Sequence, residues 1–199
     1  MARTKVVAIA GLSFALILAG CSKARLGPPP AGIHKRASLA PITFYLDGSA
    51  SDALELGVRE AFQLWSDSSS FKFAYGGKVR PAAARDGRDE VILMKHWPDE
   101  LPIDAPAWCQ LYLDASGSIV EADILLNAQA FSFTTSREAK AGSLYVEDVL
   151  AREIGRSLGI DTDSAERDGY RRAEAGDGFE PGIDPAEMAA YLSLYAAGQ

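Results

Sequence analysis

The segment Val149–Thr162 reads Val-Leu-Ala-Arg-Glu-Ile-Gly-Arg-Ser-Leu-Gly-Ile-Asp-Thr and sets Glu153 among two cations, Arg152 and Arg156, spaced i and i+4. A carboxylate on a helix beside a bound water can serve as general base. Hydrolysis by that route needs a Lewis acid, because unassisted water keeps a pKa far above neutrality. A zinc ion in turn needs lone pairs from imidazole, thiolate or carboxylate. A guanidinium has five donors and no acceptor, so Arg152 and Arg156 cannot supply them. The other candidates are scattered. The two histidines are His34 and His96, and the two cysteines are Cys21 and Cys109. Asp161, Asp163, Glu166 and Asp168 crowd one loop. They lack the alternating ligands and central glycine of an EF-hand, so a solvated acidic loop is the expectation. Cys109 follows Trp108 in a strand-like stretch with no basic neighbour and is expected to be a buried small hydrophobe.

The chain has 199 residues, enough for one domain with a core of its own. Its net charge is −7, and loss of residues 1–20, which hold Arg3 and Lys5 but no acid, would bring it to −9. That balance excludes a nucleic-acid partner, whose phosphates call for clustered Lys and Arg. It equally excludes an electrostatic grip on anionic head groups.

Arg3 and Lys5 precede an apolar run, Val6–Leu18, that has the form of a secretory signal and is short for a span. The run ends Leu18-Ala19-Gly20-Cys21, which resembles the lipobox of bacterial lipoproteins. That resemblance implies cleavage before Cys21, acylation of its thiol and amine, and a bilayer as partner. Ser22 after the cysteine resembles the outer-membrane sorting pattern, so the expected location is the outer membrane, facing the periplasm. Several acyl chains give durable attachment, since each buried CH2 contributes about 0.8 kcal/mol. Leu26–Arg36 carries Gly27-Pro28-Pro29-Pro30 and Gly32, a composition suited to an extended tether. The expected organisation is a signal peptide at 1–20, a lipidated cysteine and tether at 21–39, and one domain at 40–199.

Within the domain, Ile42–Leu46 is a β-type run closed by Asp47-Gly48. Asp52 and Glu55 resemble a capping pair for a helix whose apolar stripe is Leu54, Val58, Ala61, Phe62 and Trp65. Phe71–Tyr75 and Glu90–Lys95 are further strands; Ala107–Leu113, a turn at Asp114–Ser118 and Ile119–Leu126 form a hairpin. Helices are expected at Ser143–Leu158 and at Pro185–Ala197, the latter opened by Asp184-Pro185. The fold class is α/β in the broad, α+β sense: a small mixed sheet of about five strands with three helices.

Val149–Thr162 also resembles the zinc helix of the metzincin metallopeptidases, closest to the matrixins, whose pattern is His-Glu-x-x-His-x-x-Gly-x-x-His. Glu153 stands at the general-base position, Gly155 at the small residue before the second histidine, and Leu158-Gly159-Ile160 at the helix end. The opening strand and the helix ending Phe62-Gln63-Leu64-Trp65-Ser66, the strand Gly117–Asn127 and the closing Ile183–Tyr195 resemble matrixin elements in the same order. The resemblance implies a zincin-like fold with a cleft between the Glu153 helix and an edge strand, here Ala107–Leu113. It also implies zinc, but the three ligand positions hold Arg152, Arg156 and Thr162, and no methionine lies between Met94 and Met188 to form the Met-turn. The expectation is therefore a pseudoenzyme without a metal or other cofactor, in which Glu153 is a remnant and a peptide or protein occupies the cleft. If both arginines face the vacated position, they form a clamp for a carboxylate or other anion. The alternatives are a hydrolase with an atypical centre and an unrelated structural lipoprotein of the envelope. A plain solvated helix carrying an Asp148–Arg152 ion pair accounts equally for the short motif.

Overall fold

The computed structural model describes residues 26–28, 31–160, 169–174 and 178–195. Cys21, the signal-like run, Thr162 and the acidic loop at 161–168 lie outside them. Among the described residues no helix is long and apolar enough to cross a membrane.

The elements run β1 (Ile42–Asp47), α1 (Asp52–Ser68), β2 (Phe73–Val79), β3 (Asp89–Leu93), β4 (Ala107–Leu113), β5 (Ile119–Leu126), β6 (Phe133–Thr134), β7 (Leu144–Tyr145), α2 (Val146–Ser157) and α3 (Pro185–Tyr195). Five strands form one sheet in the order β2-β1-β3-β5-β4; β4 alone is antiparallel to its neighbour, and it is an edge strand. This is the mixed sheet with three helices that the sequence predicts. β6 and β7 add a small parallel ladder that the sequence reading lacks.

Alternation along the strands assigns the two faces of the sheet. Phe44, Leu46, Val91, Ala122, Ile124 and Leu126 point to the helices and share a core with Val58, Phe62 and Trp65 of α1 and Val149, Leu150 and Ile154 of α2. Ile92 and Leu125 point the other way, and join Trp97 and Leu101 in a second cluster covered by loops.

Two glycines let α1 and α2 approach. A Cβ on Gly57 would meet Val146 Cγ1 at 2.8 Å, and one on Gly155 would meet Trp65 Cζ2 at 3.1 Å. Trp65 fills the space beside Gly155 and donates its indole N–H to the Ala151 carbonyl at 2.7 Å. A glycine inside a helix is costly by propensity alone; here it admits the largest side chain of the core. The N-terminus of α1 is capped by Ser51, whose Oγ accepts from Leu54 N at 3.2 Å, and Asp52 and Glu55 lie in the first turn. The expected Asp52–Glu55 capping pair thus sits one residue too late, because Ser51 is the residue with extended backbone.

α2 stops where the sequence places its end. Gly159 has φ 84°, its N–H donates to Arg156 O at 2.8 Å, and Ile160 N–H donates to Gly155 O at 3.0 Å, a Schellman closure. A Cβ on Gly159 would also lie 1.9 Å from His34 O, so the chain before β1 packs against this turn. The stretch read as a tether lies on the domain. Gly27 N–H donates to Gln110 Oε1 at 3.0 Å, Lys35 O accepts from Ile119 N at 2.7 Å, and Ala37 N donates to Ile119 O at 3.0 Å. Arg36 is almost fully buried, forms an ion pair with Asp89 and donates Nε–H to Ser157 O at 2.8 Å. It joins the end of α2 to the start of β3. Arg36→Met should lower unfolding free energy by about 3 kcal/mol, because it leaves a largely buried carboxylate without its cation; urea denaturation measures this.

Candidate functional site

Glu153 projects from the middle of α2 and has no solvent exposure. Its Oε1 accepts from Arg156 at 2.5 Å and from the Tyr170 hydroxyl at 2.9 Å. Its Oε2 is buried without a hydrogen-bond partner among the described residues. Burial pushes the Glu153 carboxyl above the usual range, and Arg156, the Tyr170 hydrogen bond and Arg152 oppose that shift. Burial likewise raises Tyr170, and the Glu153 charge adds to it. Arg156 stays protonated, as a guanidinium beside a carboxylate must.

Arg152 turns away from the carboxylate and lies over the Tyr170 ring, 4.8 Å from its centroid. The Asp148–Arg152 ion pair expected of a solvated helix does not organise this turn; Asp148 accepts from the backbone N–H of Arg171 at 2.8 Å. The solvated-helix reading fails at Glu153 itself, which is part of the interior. The anion clamp also fails as drawn: Arg156 is engaged by Glu153, and Arg152 stacks on an aromatic face, so the two guanidiniums do not form a paired fork.

Beside this cluster lies a cavity of about 600 Å³ between the end of α2 and the edge strand β4. Trp108, Cys109 and Leu111 of β4 line one side, Arg156, Gly159, Ile160 and Tyr170 another, and Pro28, Gly32 and His34 a third. The cavity lies between the helix and the strand that the resemblance names as the borders of a cleft. His34 is held there with its Nδ1 2.9 Å from Gly117 O, whereas His96 is exposed on the loop after β3. Cys109 is buried, and burial together with the Glu153 carboxylate pushes its thiol well up, which suits a packing residue and not a nucleophile.

Whether zinc fits this place is decided by donors. Arg152 and Arg156 offer none, and Arg156, which lines the cavity, puts a fixed positive charge against the buried Glu153 carboxylate. Among the described residues no three His, Cys, Asp or Glu side chains converge as a metal site. Thr162, the third family position, lies outside the described residues. The guanidiniums at the two described family positions, Arg152 and Arg156, do not fit the ion.

Tyr170 and Glu187 belong to this site and were not legible as such. Glu187, on α3, is buried with Oε2 lacking a hydrogen-bond partner among the described residues. Burial pushes its carboxyl up to about 7; Arg152 and Arg156 pull it down, Asp184 and Glu153 push it further up. No motif marks either residue, since only the tertiary fold brings residues 17 and 34 positions beyond Glu153 to it.

Comparison with models of known protein families and with curated proteins finds no match for this chain.

A raised carboxyl pKa stabilises the folded state at low pH, because the native protein holds a proton that the unfolded chain releases. For Glu187 that contribution is complete below about 4.5 and is lost as the pH rises to about 7. The urea midpoint should therefore fall between these values, and Glu187→Gln should flatten that part of the profile.

Proposed function

We propose that this chain is an envelope lipoprotein, held at a bilayer through acylated Cys21, whose matrixin-like domain has lost zinc chemistry and acts by binding or scaffolding. The observation that carries the reading is the Glu153–Arg156–Tyr170 cluster at the wall of the cleft. A carboxylate at the general-base position of the metzincin pattern is buried behind Arg156 and Tyr170, which line a cleft bounded by an antiparallel edge strand, and its counter-ion is a guanidinium from the next ligand position. Supporting it are the sheet with β4 at its edge, the glycine closure of α2 at Gly159 and the order of the flanking elements.

In this reading the cleft takes a peptide or a protein segment. Among the described residues no strand pairs with the outer edge of β4, and an extended segment can hydrogen-bond to such an edge. The apolar lining from Trp108, Leu111 and Ile160 would receive its side chains. Glu153 then has a structural task, neutralising Arg156, and no water to activate.

Elemental analysis of the purified mature protein, with a broad peptide-cleavage screen, tests the reading. The expected result is less than stoichiometric transition metal and no turnover that depends on Glu153. One zinc per chain, or cleavage abolished by Glu153→Gln in a variant that remains folded, would overturn it.

A further inference from the structure

The position of the anchor relative to the cleft carries a consequence for which way the domain faces. Leu26 packs on the loop-covered side of the sheet, against the cluster of Ile92, Trp97, Leu101 and Leu125. Gly27 is hydrogen-bonded to Gln110 of β4. Pro28, Gly32 and His34 then line the cleft. Four residues lie between Cys21 and Leu26, so the five Cα-to-Cα steps span at most about 18 Å even when fully extended. A domain of about 160 residues has a radius of gyration near 15 Å and a diameter of about 40 Å. The leash is shorter than half of that, so the surface around Leu26 cannot be turned away from the membrane that holds Cys21.

That surface is apolar where it flanks the cleft. Ile33 is 82% exposed and Ile103 is 76% exposed, the two most exposed large aliphatic side chains of the described residues. Each is flanked by residues that line the cavity: Gly32 and His34 beside Ile33, Pro102 and Asp104 beside Ile103. The neighbourhood of Ile103 carries Asp99, Glu100 and Asp104 and is not basic. Its attraction to lipid is hydrophobic and does not call for anionic head groups.

We infer that the β4 edge of the domain lies on the bilayer, with Ile33 and Ile103 in the interfacial layer and the cleft opening at the membrane surface. The inference rests on the proposed acylation of Cys21, and it deepens the binding role. A ligand of this cleft is reached at the lipid–water interface, as a segment emerging from the membrane or lying on it.

The test uses full-length mature protein, lipidated in cells and reconstituted into phosphatidylcholine vesicles. Single nitroxide labels are placed through Ile103→Cys and, as a reference on α1 at the opposite side of the sheet, Gln63→Cys. Flotation with the vesicles is scored first, beside Cys21→Ala. The expected result is that the lipidated chain floats, Cys21→Ala does not, and the label at 103 shows a several-fold higher ratio of oxygen to nickel-chelate accessibility than the label at 63. A chain that floats but gives equal ratios at both positions overturns the orientation and leaves the anchor standing. A label at 103 shielded from both reagents shows a protein covering that surface, and also overturns the orientation. Failure of the native chain to float removes the anchor and this inference with it.

Discussion

A carboxylate cut off from water must hold a proton or a counter-charge, and Glu153 sits at zero exposure in the middle of α2. The Arg156 guanidinium supplies the counter-charge and the Tyr170 hydroxyl supplies a second hydrogen bond. The arrangement of the cleft wall follows from satisfying that one group. Arg156 is held against Glu153 at the cavity wall with its side chain 37% exposed, Tyr170 donates to the same carboxylate, and Arg152 stacks on the Tyr170 ring. Glu187 from α3 brings a second buried carboxylate to the same two cations. Glu153 is locked in an internal ion pair, which accounts for its burial.

The same helix is fixed at both ends by features unrelated to charge chemistry in the cleft. Gly57 and Gly155 permit the close crossing of α1 and α2 around Trp65, and Gly159 ends α2 in a turn that the His34 carbonyl abuts. Arg36 ties that end to β3 through Asp89 and Ser157. Residues ahead of β1 are thus part of the cleft's construction.

Much of this was legible in the sequence, for identifiable reasons. Ala107–Leu113 and Ile119–Leu126 are legible to the residue, since two β-type runs flank a turn signal at Asp114–Ser118. The Glu153 helix was legible through its stripe Val149, Leu150, Ile154 and Leu158, every member of which is fully buried. β6 and β7 were not, because a two-residue ladder has no periodicity to detect. The Pro-rich composition of residues 26–36 suggested a free tether. Its seating comes from single hydrogen bonds and from Arg36, which tertiary structure alone supplies. The pairing of Arg156 with Glu153 was obscured by the resemblance itself, which directed both arginines at a vacated metal position and away from the carboxylate three residues earlier.

A double-mutant cycle between Glu153 and Arg156 addresses the central ion pair most directly, with unfolding free energies measured for Glu153→Gln, Arg156→Met and the double variant at neutral pH. Removing the cation alone should be the costliest change, about 3–5 kcal/mol. The double variant should recover much of that loss, giving a coupling of about 2 kcal/mol or more. Effects that simply add, to within about 0.5 kcal/mol, would contradict the claim that Arg156 neutralises the buried carboxylate.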